Sequence, residues 1–255
     1  MRRNLIFSIG WLVCMLSQQA SGAAQTKAEA APEPEALLRA ADRARGGVDE
    51  GVRWTIVLTV DDAGEIQTHS YLVHARGSDA LVEALAPPRN KGETYLFNDR
   101  NLWFIKPGLQ KPISLSVRQR LTGDAANGDI ANTNYARDYL GTLAGEESVQ
   151  GEPCYRLNLQ ARSKNVTYDK IHYWISKARL LGVKAEFRTV SDQLLKVATF
   201  EYTNKIRTPG GEHEFVSSML LHDPNKPRSS TRIAFGDPHL EQLGDSIFNI
   251  NNVAR

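Results

Sequence analysis

The sequence contains little cysteine, little net charge and, beyond its N terminus, no long apolar run. Its two cysteines are Cys14, inside an N-terminal apolar stretch, and Cys154. One remaining thiol cannot close an intramolecular disulfide, so a core must supply stability. The 31 basic and 29 acidic residues nearly balance, which argues against a nucleic-acid binder. No later segment approaches the ~20 apolar residues of a membrane-spanning helix, and we expect none in the mature protein.

The N terminus has the three-part order of a secretory signal. Arg2 and Arg3 precede an apolar run from Leu5 to Leu16, and small residues follow from Ala20 to Ala24. This order predicts a cleaved signal peptide over residues 1–24. The general secretory route is favoured over the twin-arginine route, whose flanking polar and lysine residues are missing. Because Cys14 lies inside the apolar run, no lipid attachment is expected, and the prediction is a soluble periplasmic protein.

The mature chain is predicted to be a short spacer followed by one domain. Residues 25–34 are rich in Ala, Glu and Pro without periodicity, which is typical of disorder. Residues 35–255 form the predicted domain. It opens with an amphipathic helix carrying Leu37, Leu38 and Ala41 on one face, and Gly46 with Gly47 ends that helix.

From Val52 the apolar period changes to two, which predicts strands. Trp54, Ile56 and Leu58 alternate with polar residues, and turn residues from Asp61 to Gly64 predict a hairpin with Glu65 to Arg76. Further strands are predicted at Ala80–Leu85, Thr94–Phe97, Leu102–Lys106, Ile113–Arg118, Cys154–Gln160, Ile171–Ile175, Gly182–Val190, Leu194–Asn204, Phe215–His222 and Ser230–Phe235. Strands without alternating helices favour one antiparallel sheet.

Two segments depart from the strand pattern. Thr122 to Leu143 is poor in strand formers and predicts a loop with a short helix from Tyr135, which we interpret as a candidate lid. Asp237 to Ile247 carries Leu240, Leu243 and Ile247 at helical spacing, and we interpret it as a closing segment that caps one end of the sheet.

The sequence Leu102 to Pro107, followed by a basic, serine-bearing strand and a Gly-Asp loop, resembles the outer-membrane lipoprotein-sorting protein family. Tyr155 to Leu159, Lys170 to Ser176, and the hairpin of Val183–Phe187 with Leu194–Phe200 follow that family's order. The resemblance extends from about Glu35 to Phe248. It implies a LolA-like fold, which is mainly β, with a large antiparallel sheet curled into a half-barrel and a few helices as a lid over a concave apolar cavity.

The resemblance also implies where a ligand would lie. The cavity candidates are apolar strand residues: Trp54, Ile56, Leu58, Leu72, Trp103, Ile105, Leu115, Tyr155, Leu157, Tyr173 and Phe187. The candidates for contact with lipid headgroups or a membrane surface are basic: Lys106, Lys111, Arg118 and Arg120. For these four, a solvated strand and loop face is the competing interpretation.

By this resemblance the protein is a non-catalytic periplasmic carrier of lipid or lipoprotein acyl chains toward the outer membrane. The expected partners are those acyl chains and an inner-membrane transporter of the RND/MMPL type, and the expected state is a monomer. The alternative is a periplasmic sensor or regulatory module that binds a hydrophobic signal and a membrane protein. The six histidines form no HExxH pairing or nucleophile motif, so no catalytic residue, metal site or cofactor is predicted.

Overall fold

The computed structural model describes residues 32–131 and 133–253. The predicted signal peptide, residues 1–24, lies outside the described residues, as does the predicted spacer up to residue 31. The described part holds the following strands: β1 Val52–Asp62, β2 Glu65–Arg76, β3 Asp79–Ala86, β4 Thr94–Asn98, β5 Asn101–Ile105, β6 Ile113–Leu115, β7 Arg120–Thr122, β8 Ala125–Ala126, β9 Tyr139–Val149, β10 Glu152–Ala161, β11 Lys170–Ser176, β12 Gly182–Arg188, β13 Leu194–Glu201, β14 Asn204–Thr208, β15 Gly211–Phe215, β16 Ser218–His222 and β17 Ser229–Leu240.

The helices of the described part are few and short. They are α1 Pro34–Arg43, α2 Tyr135–Asp138 and α3 Ile250–Val253, with 3-10 turns at Pro88–Asn90, Asn127–Ile130 and Asp245–Phe248. The protein is therefore mainly β, as the sequence predicts.

Thirteen of the described strands form one antiparallel sheet in the order β6-β5-β4-β3-β2-β1-β17-β16-β13-β12-β11-β10-β9. The first strand pairs with the last at its centre, where Val52 opposes Leu240 and Asp62 opposes Ser229. The two end strands, β6 and β9, do not pair with each other, so the curled sheet does not close into a barrel. It is the half-barrel that the sequence predicts. The smaller pairs β7–β8 and β14–β15 lie outside this sheet.

Strand β1 illustrates why these residues form a two-faced sheet. Val52, Trp54, Ile56, Leu58 and Val60 are buried, while the residues between them are half-buried or exposed. Because successive side chains of a strand point to opposite faces, the alternation fixes which face is turned to the core. The predicted hairpin to β2 is confirmed: the backbone N–H of Gly64, at φ 99°, donates to the Asp61 side chain at 2.9 Å.

Helix α1 lies against the inner face of this sheet. Proline at its first turn suits a position whose N–H has no partner within a helix. Leu37, Leu38 and Ala41 are buried, and the helix ends before Gly46, which adopts φ 82°. The predicted amphipathic helix is thus confirmed, and its apolar face contributes to the same core as Trp54 and Ile56.

The prediction of a loop with a terminal helix over Thr122–Leu143 is wrong in its second half. The helix α2 is a single turn, and at Tyr139 the chain enters the eleven-residue strand β9, which forms one edge of the sheet. Its low strand propensity, with Gly141 and Gly145, is overridden by pairing with β10, where Leu143 opposes Leu157.

Other boundaries also differ from the predictions. The predicted strand Ile113–Arg118 ends at Leu115. The predicted strand Leu194–Asn204 ends at Glu201, and Asn204 begins β14, which forms a separate hairpin with β15. The closing segment predicted over Asp237–Ile247 begins inside β17, which extends to Leu240 in register with β1. The chain beyond it folds as short turns over the outer face of β3–β5, where Leu243 and Phe248 pack on Leu81 and Leu96.

Candidate functional site

The candidate site is the inner, concave face of the sheet with the segments that cover it. Six of the predicted cavity residues lie there and are fully buried: Trp54, Ile56, Leu58, Leu157, Tyr173 and Phe187. They come from β1, β10, β11 and β12, which the fold brings into one continuous apolar cluster. Aromatic rings recur across it, with Trp54 at 5.7 Å from Phe215 and Tyr173 at 6.4 Å from Phe200 between ring centroids.

Two further predicted residues lie at the margins of this cluster. Leu115, on edge strand β6, and Tyr155, on β10, are half-buried and pack against it. Between the centre and the β6 edge, the face is lined by Tyr71, Tyr95 and Phe104, whose neighbouring rings lie 5.2–6.4 Å apart. Apolar and aromatic surface therefore extends to the β6 edge.

Three predicted cavity residues do not belong to this face. Leu72 alternates with the inward-facing Tyr71 and Val73, so its side chain points to the outer face. Trp103 and Ile105 form a separate outer cluster with Leu96, Leu243 and Phe248. The two-sided apolarity of β5 is real, but the C-terminal segment covers its second side.

The first part of the cover is helix α1 with the residues after it. The carboxylate of Asp42 is 3% exposed and accepts a hydrogen bond from the backbone N–H of Ala136, at the start of α2, at 2.9 Å. The buried guanidinium of Arg45 lies 4.4 Å from the ring centroid of Phe200 and 5.5 Å from that of Tyr135. A carboxylate and a guanidinium thus join α1 to α2 above the aromatic face.

Burial raises the pKa of Asp42 to about 6, against the hydrogen bonds and the Arg45 charge, which lower it. In the unfolded chain the pKa of an aspartate is ~3.9. Protonated Asp42 therefore contributes its full stabilisation to the folded state below pH ~4. This contribution is lost as the pH rises through the folded-state pKa of about 6. At 1.36 kcal/mol per pKa unit the loss is about 3 kcal/mol.

We therefore expect Asp42→Asn to raise the free energy of unfolding at pH 8 by about 2 kcal/mol relative to the native chain, and to change it little at pH 4. Asparagine keeps an oxygen for the Ala136 N–H and carries no charge. Urea unfolding at both pH values measures this, with the exposed Asp49→Asn as control. Equal destabilisation at both pH values would contradict the assignment.

The second part of the cover is the segment from Val117 to Ala131, called the insert below. Asp129 of the insert is buried and forms a 3.0 Å ion pair with Lys196 of β13. The hydroxyl of Tyr168 donates to both Asp129 oxygens at 2.7 and 2.8 Å, and the backbone N–H of Ala126 donates to one of them. The Lys196 ammonium also donates to the carbonyl of Asp124.

Two further hydrogen bonds hold the insert, one to β17 of the sheet and one to the residue that directly precedes it. The backbone N–H of Asp124 donates to the Thr231 hydroxyl at 2.8 Å, and the side chain of Asn127 donates to the carbonyl of Ser116 at 3.0 Å. Burial, with the adjacent Asp129 carboxylate, raises the pKa of Tyr168 well above its usual range, so its hydroxyl remains a donor. The insert is thus held by a buried ion pair and hydrogen bonds together with the buried Ala125 and Ile130, and α1 by Leu37, Leu38 and Ala41 together with Asp42.

A small cavity of about 70 Å³ lies under the cover, between the insert and α2. Its lining includes Arg45, Val117, Asp129, Tyr135, Tyr139 and Tyr168. A water molecule takes up about 30 Å³ in the liquid, so this cavity has room for no more than a few water molecules. An acyl chain is much larger than that. The cover must move for the inner face to take a long apolar ligand.

The predicted headgroup residues come from two segments of the chain. Lys106 and Lys111 lie in the β5–β6 loop, whereas Arg118 and Arg120 belong to the insert. Lys106 pairs with Glu93 at 2.8 Å, and Arg118 pairs with Asp169 at 2.6 Å. Lys111 and Arg120 are exposed and form no ion pair within the described residues.

The chemistry of other polar groups is limited. Within residues 32–131 and 133–253, no three His, Cys, Asp or Glu side chains are arranged to hold a metal ion, and no helix is long and apolar enough to cross a membrane. Cys154 packs with Trp174 and Val183 on the outer side, and burial raises the pKa of its thiol.

The sequence interpretation missed the role of the buried charged residues that hold the cover: Asp42, Arg45 and Asp129, and Lys196 of the sheet. One signal was available: Lys196 occupies an inward position of β13, two residues before Ala198 and four before Phe200. A lysine in register with core residues is rare unless it is paired.

A family model described as "Uncharacterized protein" matches residues 76–255. No curated protein matches the chain. A DUF1329 family protein from Desulfovibrio piger is 22% identical, with a TM-score of 0.71, and the match covers 87% of this chain and 100% of that one. A domain assigned to the outer membrane lipoprotein-sorting proteins of Vibrio parahaemolyticus is 19% identical, with a TM-score of 0.73, covering 87% and 98%. These two show the fold.

A nearer relative is a LolA superfamily protein from Nitrosomonas europaea, which is 30% identical and has a TM-score of 0.78. The match covers 87% of this chain and 99% of the Nitrosomonas protein. On this identity and coverage, together with the order of the sheet, the chain belongs to the LolA superfamily.

Proposed function

We propose that the protein is a non-catalytic periplasmic carrier that holds the acyl chains of a lipid or lipoprotein against the inner face of its half-barrel. In this proposal residues 1–24 are a signal peptide removed on export, and residues 35–255 act as one monomeric domain. The cargo passes from an inner-membrane transporter toward the outer membrane. The names of the Nitrosomonas and Vibrio proteins agree with such a role.

The observation that carries the proposal is the continuous apolar inner face, lined by aromatic rings from β1 to β12 and covered by segments that are not part of the sheet. In most antiparallel sheets that have one face in solvent, the other face packs against a permanent core. Here α1 adds only Leu37, Leu38 and Ala41 to the cluster, Ala44 follows just after the helix, and the insert adds Ala125 and Ile130. Because α1 is short and covers the large aromatic surface with few side chains, an acyl chain can take its place on that surface.

Burial of acyl carbons supplies enough affinity for reversible holding. At ~0.8 kcal/mol per methylene, ten shielded carbons contribute about 8 kcal/mol, which corresponds to a Kd near 1 μM before the cost of moving the cover is subtracted. A carrier needs this range, because a tighter complex would not release its cargo.

The inner and outer faces of β5 offer a matched test. We expect Phe104→Ser, on the inner face, to weaken binding of a fluorescent fatty-acid probe about tenfold, because burial of such a side chain contributes ~1.5–3 kcal/mol. Trp103→Ser removes an aromatic ring from the adjacent, outer position and should leave the affinity unchanged. Equal effects of the two substitutions on probe affinity would contradict an inner-face site.

The cargo itself can be identified from protein made in its own cell envelope. Gentle purification, organic extraction and mass spectrometry should yield close to one acyl-bearing molecule per protein molecule. The Phe104→Ser protein, prepared in parallel, should yield less. Native protein that is consistently empty, and that also fails to take up the probe, would overturn the carrier proposal.

A further inference from the structure

Two loops at one end of the sheet form a single projecting surface, the basic tip. It consists of residues 85–93, which are the end of β3 and the loop to β4, and residues 106–113, which are the β5–β6 loop and the first residue of β6. The strands behind them are paired, with Thr94 opposite Ile105. A Cβ on Gly92 would lie 3.0 Å from Pro107, so the two loops are in contact.

The exposed charges of the basic tip are all positive. Arg89, Lys91, Lys106 and Lys111 are exposed, and the one acidic residue of the two loops, Glu93, is buried. Glu93, the last residue of the β3–β4 loop, is 6% exposed, and its carboxylate accepts from Lys106 and from the Asn90 side chain at 2.8 Å. Lys106 is thereby oriented, and the other three cations form no ion pair within the described residues.

Large apolar side chains are exposed among these cations. Leu85 and Leu109 are each 44% exposed and Ile113 is 45% exposed. The loops also contain Pro87, Pro88, Pro107 and Pro112. Because proline restricts the backbone, the loops hold these side chains in place at little further entropic cost when they bind a surface.

Exposed leucine and isoleucine between unpaired cations suit a surface that is anionic outside and apolar just beneath, and a bilayer containing anionic lipid has this chemistry. We propose that the basic tip docks the protein on an anionic lipid bilayer. The inner-face residues Tyr95 and Phe104 lie on the strands directly behind the tip. Docking thus brings the β6 end of the inner face to the membrane surface, but it does not require that any acyl chain enters.

The test is sedimentation of the full-length mature protein with vesicles of phosphatidylcholine alone or mixed with phosphatidylglycerol. We expect binding only to the mixed vesicles, and weaker binding as salt is raised. The triple variant Arg89→Gln/Lys91→Gln/Lys111→Gln should bind about 100-fold more weakly, given the usual contribution of each basic residue at such a surface. Leu109→Ser should weaken binding about fivefold.

A matched control removes three exposed cations elsewhere: Arg43→Gln/Lys205→Gln/Arg207→Gln. It changes net charge equally and should bind as the native protein does. Circular dichroism melting checks that every variant is folded. Equal binding of the native protein to both kinds of vesicle would overturn the proposal. So would an equal loss of vesicle binding in the tip variant and the control. Capture of an envelope protein by the tip, without binding to vesicles, would also overturn it. Probe affinity of the tip variant should stay native, which separates failure of docking from failure of acyl binding.

Discussion

We expect the Lys196→Met variant to melt about 10 °C below the native protein. Methionine fills the space of the lysine stem but leaves the Asp129 carboxylate buried without its cation. Removing one partner of a buried ion pair typically costs about 3–5 kcal/mol, and for a domain of this size each 1 kcal/mol shifts Tm by roughly 2–4 °C. Calorimetry or thermal circular dichroism at neutral pH measures the change.

A double-mutant cycle measures how much of the lost stability comes from the unpaired charge of Asp129. In Asp129→Asn/Lys196→Met the asparagine still accepts from Tyr168 and Ala126, and no buried charge remains. We expect the double variant to regain at least about 2 kcal/mol over Lys196→Met alone.

The matched control for this pair is Lys205→Met. Lys205 lies 3.2 Å from Glu212 on the exposed hairpin β14–β15, and its loss should cost at most about 1 kcal/mol. A Lys196→Met protein as stable as this control would mean that the insert is not held by Asp129.

The sheet was predictable because its signal is local. Alternation in β1, from Val52 to Val60, identifies both the strand and its buried face before any partner is known. Strand β9 carried no such signal: Leu140 is 55% exposed and Gly141 and Gly145 weaken its propensity. It exists because β10 offers an unpaired edge, and that is a property of the assembled sheet.

The site was predictable only in part, for a related reason. Periodicity separates the two faces of β5 but does not say which face is inner, so Trp103 and Ile105 were grouped with Trp54. That choice depends on the path of the C-terminal segment, which brings Leu243 and Phe248 over the outer face. Likewise, Asp129 and Lys196 are 67 residues apart, and only the fold shows that they meet.

Movement of the cover is required by volume. Sites for drug-sized ligands are typically ~300 Å³ or larger, whereas the cavity under the cover is about 70 Å³. The sequence interpretation took Thr122–Leu143 as the lid, but the insert is anchored by a buried ion pair and several hydrogen bonds. Helix α1 buries three apolar side chains and the Asp42 carboxylate, and within the described residues no ion pair joins it to the sheet, so it can leave the inner face at lower cost. We therefore infer that α1 is the segment that opens.

Two engineered disulfides distinguish these possibilities. A Cβ built on Gly141 lies 3.4 Å from the Cβ of Pro34, and one built on Gly128 lies 3.2 Å from the Cβ of Thr167, both near the separation found in disulfides. Pro34→Cys/Gly141→Cys fixes α1 to β9, and Gly128→Cys/Thr167→Cys fixes the insert to the β10–β11 loop. The native Cys154 is buried on the outer side and does not interfere.

We expect the oxidised α1 disulfide to abolish uptake of the fluorescent fatty-acid probe, a loss of at least about 100-fold, because apparent affinity falls with the fraction of open protein. Reduction of the same sample should restore uptake, which excludes misfolding as the cause. The oxidised insert disulfide should bind the probe as native protein does, since its segment remains in place in both states. The reverse pattern would make the insert the lid, and native uptake by both oxidised proteins would place the acyl chain somewhere other than the inner face.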